Sequence, residues 1–234
     1  MLSINKILDW KYVVAETTIV AIGVAMALTV DAWWEDRADR ITESAYVQGL
    51  REDFSTTALD LNGEIEMALE SLSAIDELLG LMTSKTTADS SHVHRTISKA
   101  FETSVLRPVT ATYADLVTSG NTRILRSKSL RIALAEWSAQ LEIHRRLEDH
   151  ILAPHYLATN DFMIRNVAVS DPWQSDQVLK SPFDTDFSEL LTNRELWNLL
   201  VVHRNWIGIR KTSLRALQIR INQVLERLEQ DDRN

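Results

Sequence analysis

The sequence predicts an all-α protein, with one N-terminal transmembrane helix continuous with a long helix, plus an antiparallel helical bundle. Three observations carry this. The 234 residues include only 4 Pro and 6 Gly, too few for the tight turns of an all-β chain. From Tyr12 to Val30 the chain is apolar or small, with Glu16 as its only charge. Two long stretches then place apolar residues three and four apart.

Residues 1–11 form a short tail and 12–34 the span. Nineteen residues at about 1.5 Å each give roughly 28 Å, close to the hydrocarbon thickness of a bilayer. Trp10 and Tyr12 lie at one end, Trp33 and Trp34 at the other, as interfacial belts do. Glu16 sits about one turn inside the boundary. Its shallow depth favours a carboxylate reaching the headgroups over a buried proton or cation relay. Gly23 and Ala27 form a small-xxx-small pair that lets helices approach closely. Ala25-Met26-Ala27 resembles a signal-peptidase site, but the apolar run continues past it to Val30 and two Trp follow, which favours a retained anchor. Lys6 and Lys11 tip the N-terminus toward the cytoplasm. The expected location is the bacterial inner membrane, with the body on the periplasmic side.

Residues 35–234 read as the extramembrane bundle. Val47, Leu50, Phe54, Ala58, Leu61, Ile65, Ala68, Leu72, Ile75, Leu79 and Met82 recur with one irregular step near Phe54, giving a long helix over about 35–82. A turn follows at Thr83 to Ser91. A second helix is expected from Ser91 to Leu106, stopped by Pro108. A short helix over Thr112–Ser119 ends at Gly120 and Asn121. Ser127 opens a helix with Leu130, Leu134, Trp137, Leu141, Leu147 and Ile151 along one side, and Pro154 is expected to kink it. Residues 166–191 read as a surface loop. Thr192-Asn193-Arg194-Glu195 reads as a capping box. A final helix over 193–230 carries Leu196, Leu200, His203, Ile207, Arg210, Leu214, Leu217, Ile221, Val224 and Leu228 in unbroken four-three alternation.

Charge suggests how the long helices pair. Asp31 to Met82 has 13 acids and 3 basic residues, whereas Arg204 to Arg220 has five basic residues and no acid. Antiparallel packing with complementary rims is expected, and Arg204, Arg210 and Arg215 are the residues to watch; a partner surface or anionic headgroups are the competing use of that charge.

Little here points to a reaction. There is no Cys, which excludes thiolate metal sites, iron–sulfur clusters and Cys nucleophiles. No phosphate loop, GxSxG or HExxH occurs. The six His form no ligand cluster, and His144 and His203 fall on apolar seams. No catalytic residue, cofactor or metal is predicted. The net charge of −8 argues against nucleic-acid binding. Trp173, flanked by Asp171 and Pro172 in the loop, is a candidate docking residue.

Two stretches resemble a known family. One is Glu16 to Arg37, ETTIVAIGVAMALTVDAWWEDR. The other is Thr112 to Asn121, TYADLVTSGN, followed by Ile124 and Leu130–Leu134. Together they resemble an uncharacterised bacterial family of N-terminally anchored membrane proteins, a domain of unknown function. The resemblance implies a single span and a helical body, and no activity. Within its motif, Tyr113 and Leu116 are expected to bury, Gly120 to end the helix and Asn121 to bond local backbone. The expected function is non-catalytic: an oligomeric scaffold or accessory subunit of a membrane complex, whose partners are the bilayer, further copies or other membrane subunits. Alternatives are a signal-relay module, favoured by a pocket lined with Trp and His, and an oligomeric pore with Glu16 or Thr17 and Thr18 facing a lumen.

Overall fold

A computed structural model describes residues 10–84, 89–102, 104–168 and 182–231. Of the described residues 87% are helical and none is in a strand. Helix α1 runs from Trp10 to Ser84, 75 residues, or about 112 Å without a break. The others are α2 (Ser90–Ala100), α3 (Ala111–Thr118), α4 (Lys128–Leu147), α5 (Ala153–Asn166), the single turn α6 (Phe187–Leu190) and α7 (Arg194–Asp231).

The axis of the body is an antiparallel pair, α1 and α7. Arg51 donates to the carbonyl of Leu228, Gln218 to Asn62, Arg210 to Glu64 and Arg204 to Asp76, so one chain climbs as the other descends. All ten apolar-seam positions expected of α7, from Leu196 to Leu228, are buried. On α1 the seam differs from the apolar pattern. The buried rows are Val47, Phe54, Leu61, Ala68 and Ile75, and Leu50, Thr57, Glu64, Ser71 and Leu78. Both keep a strict seven-residue period. The irregular step near Phe54 vanishes, because polar residues hold inner positions while Ala58, Leu72 and Leu79 are only half buried.

Those polar residues have a common task. Residues 104–110 carry no regular structure and lie along α1, where their backbone groups need partners. The Ser71 hydroxyl donates to the carbonyl of Ala100, Glu64 accepts from the Ser104 hydroxyl, and Thr57 accepts from the amide of Val109. Asp53 then caps the next turn by accepting from the amide of Thr112. This strap explains why α2 stops at Ala100 and not at Leu106: the chain leaves the helix to be bonded by α1. At its lower end α3 rests on Gly49, where a Cβ would come within 2.9 Å of the Thr112 hydroxyl.

The helix opened by Ser127, whose hydroxyl accepts from the amide of Leu130, continues past Pro154 by way of a π turn at Glu148–Leu152. Pro154 lacks an amide and sits in the first turn of α5, so the extra residue is absorbed just before it. Along the inward face His144, Glu148, Leu152, His155 and Phe162 follow Leu141, while Leu147 is turned aside. Asn193, not Thr192, caps α7, its carbonyl oxygen accepting from the amides of Glu195 and Leu196. Within the expected loop, α6 buries Leu190 after a cap by Asp186.

The core falls into two apolar clusters. The lower one joins Val47–Ile65 of α1, Leu130–Leu141 of α4 and Leu214–Leu228 of α7 around Trp137. The upper one joins Ala68–Leu78, α2, Phe162 and Leu196–Ile207. The first part of α1, residues 12–35, is exposed on every side.

Candidate functional site

A buried polar layer separates the two clusters. Its centre is Arg210 on α7, with a side chain 3% exposed. Its guanidinium donates to Glu64 of α1 at 2.8 Å, to Glu148 of the π turn at 2.6 Å and to the carbonyl of Ser104 at 2.8 Å. Four segments therefore meet on one cation. Burial works against the charge of Arg210, but the Glu148 and Glu64 carboxylates more than offset this and hold it above its ordinary pKa. Burial also pushes Glu148 up, against the pull of Arg210.

Imidazoles flank the cation on both sides. Below it, His144 is hydrogen-bonded through Nδ1 to the Ser213 hydroxyl at 3.0 Å, and its Nε2 faces Glu148 at 3.4 Å without hydrogen-bond geometry. Above it, His203 is fully buried and stacks on His155 with ring centroids 5.1 Å apart. A carbonyl only accepts, so His203 Nε2 carries the proton given to Ala100 O, and Nδ1 accepts from His155 Nε2, each at 3.0 Å. Tyr156 closes this side, its hydroxyl pushed up by burial.

Burial and the Arg210 charge push His144 down to about 4, and burial with the facing His155 pushes His203 down to about 4. Both are neutral at pH 7. In the unfolded chain a histidine titrates at about 6.5, so between about pH 6.5 and 4 the unfolded state binds protons that the folded state refuses. Stability therefore falls as pH falls through that window. The melting temperature is expected to drop between pH 7.5 and pH 5, with a shallower slope for His203→Gln; identical slopes would remove His203 from the account.

The structure distributes the sequence candidates widely. Arg210 is the hub, Arg204 pairs with Asp76 at 2.5 Å on the surface, and Arg215 is exposed. Tyr113 is half buried and packs edge-on against Trp137 at 5.2 Å, Leu116 is buried, and Gly120 takes φ 74°, the left-handed turn that ends α3. Asn121 does not bond local backbone: its amide donates to the Tyr46 hydroxyl of α1, which donates to Asp115. Glu16, Gly23 and Ala27 are exposed along α1, Trp33 stacks edge-on with Trp34, and Arg37 lies 6.0 Å over the Trp33 ring. The side chain of Trp10, and Trp173 altogether, lie outside the described residues.

Sequence reasoning missed Glu64, Glu148 and His155. Glu64 was one acid among many on an acidic helix, yet a seven-residue period through Leu50 and Leu78 marks it as inward. Glu148 and His155 keep the three-and-four spacing from Leu141 and His144, but an apolar pattern drawn through Leu147 passes over them. Among the described residues no three His, Asp or Glu converge to hold a metal ion. The layer is a buried charge network, and it locks four segments together.

The model of a family of unknown function, DUF6090, matches residues 16–147, from the apolar start of α1 to the last residue of α4. No curated protein and no solved structure matches the chain. The matched region spans more than half of the 234 residues, and the chain belongs to the family of unknown function DUF6090.

Proposed function

We propose that this protein is a non-catalytic membrane scaffold or accessory subunit of a membrane complex, oligomeric, held in the bacterial inner membrane by α1 as a single pass. Its N-terminus is cytoplasmic and its bundle periplasmic in this reading. One observation carries the proposal. The apolar start of α1 has a mean hydropathy of 2.0 over its best window and none of that window is buried within the chain. An exposed apolar cylinder of this length is costly in water, and lipid supplies the missing cover. The hydroxyls of Thr17, Thr18 and Thr29 donate to carbonyls one turn back, which leaves the segment compatible with hydrocarbon.

A second reading, a signal relay, is favoured by the unbroken helix that joins this segment to the Arg210 layer. Under either reading the protein is expected to stay in the membrane pellet after alkaline carbonate, and protease added to intact spheroplasts is expected to cut the bundle. Release into the supernatant sinks the anchor; protection in intact spheroplasts with cleavage after lysis sinks the orientation.

A further inference from the structure

Between α4 and α7, on the solvent side of the bundle, lies a straight open groove of about 870 Å³. Its walls are Ile143 and Leu147 on α4 and Ile209 on α7; Ile143 is 59% and Ile209 40% exposed. These are large aliphatic groups left in water beside one another, which monomeric surfaces seldom tolerate as a continuous strip. Ile132 on α4 and Val202 and Ile219 on α7 are exposed as well. Small residues recur every four positions on the α7 side, at Gly208, Thr212 and Ala216, and a Cβ on Gly208 would meet nothing within 4 Å. A helix backbone can approach closely there.

The rims decide the occupant. Arg146 on α4, His150 in the π turn and Arg204 on α7 border the groove, while no carboxylate lines it. The acids that pair with these arginines, Glu142 and Asp76, lie outside the lining. A second copy presenting the same groove would set cations against cations. We propose that the α4–α7 groove receives an amphipathic helix of a partner protein, with an apolar stripe flanked by acidic residues. The helix lies between α4 and α7 as a further member of the bundle, its Asp or Glu side chains facing Arg146 and Arg204. This deepens the accessory-subunit reading and rests on it.

The test uses the full chain in phosphatidylcholine nanodiscs, with empty discs as background. Two labelled synthetic helices of about 20 residues share one Leu/Ala stripe and differ only in Glu or Lys at the flanks. The Glu-flanked helix is expected to bind about tenfold tighter or more than the Lys-flanked one, with the preference shrinking as salt rises. The double variant Ile143→Glu/Ile209→Glu is expected to lose that binding while its melting curve is unchanged, since both side chains are exposed. Equal affinity for the two helices, no saturable binding, or binding untouched by the double variant overturns the proposal. So does light scattering that shows a dimer of wild-type chains broken by the double variant, which would give the groove to a second copy. Carbonate extraction reads the anchor separately, so failure of the groove and failure of the membrane reading remain distinguishable.

Discussion

Arg210→Met is expected to lower the stability of the bundle by about 3–5 kcal/mol, because it leaves two carboxylates in a dry interior without their cation. Glu64 and Glu148 are nearly as enclosed as Arg210 itself, with side chains 10% and 12% exposed. Neither reaches enough water to replace the lost hydrogen bonds. The Ser104 carbonyl loses its donor as well, so the strap between α2 and α3 is loosened with the core. The control separates charge from burial. Arg215→Glu changes the same helix at an exposed position and is expected to stay within about 0.5 kcal/mol of wild type. A triple variant, Glu64→Gln/Glu148→Gln/Arg210→Met, removes every charge of the layer and is expected to recover much of the loss, since a neutral layer carries no unpaired ion. Urea unfolding in detergent or nanodiscs measures all three. A single Arg210→Met change that costs less than about 1 kcal/mol would show the layer to be solvated, against its burial.

Trp137→Ala is expected to cost about 3–5 kcal/mol through the cavity it leaves in the lower cluster. Trp137 is 1% exposed and lies between Phe54 of α1, at 4.6 Å between centroids, and Tyr113 of α3, at 5.2 Å, both edge-on. The three rings join α1, α3 and α4, and with buried Leu116 they seat the TYADLVTSGN stretch on the core. Trp137→Phe keeps an aromatic face and is expected to cost less than half as much. Loss of less than about 1 kcal/mol on truncation to Ala would mean that α3 closes over the gap, which Tyr113 at half burial is placed to do.

Much of the helical plan was readable from spacing alone. The α7 seam from Leu196 to Leu228 was complete in the sequence, Arg210 included, because a three-four alternation over so many turns has few other solutions. The α1 seam was readable only in part. Apolarity marks only part of the inner face: Thr57, Glu64 and Ser71 break that rule because they bond the Val109 amide, the Ser104 hydroxyl and the carbonyl at the end of α2. No local pattern announces that an irregular segment from elsewhere will lie against a helix. The His155–His203 pair escapes for a different reason: the apolar pattern runs through Leu147 and Ile151, whereas the inward steps 141, 144, 148, 152 and 155 pass through polar residues. Asn121 was misassigned because its partner, Tyr46, is 75 residues away.

The attachment of the body to the apolar end of α1 leaves no slack. Arg126, just before α4, pairs with Asp36 and also reaches Glu43, so tertiary contact begins two residues after Trp34. There is no swivel. From Asp36 to Ser84 the helix rises about 72 Å. An inclination of about 20°, ordinary for a helix in a bilayer, swings the far tip sideways by about 25 Å. With α1 anchored as proposed, a change of tilt at one end becomes displacement at the other, and the body is a pointer whose angle is set by its foot.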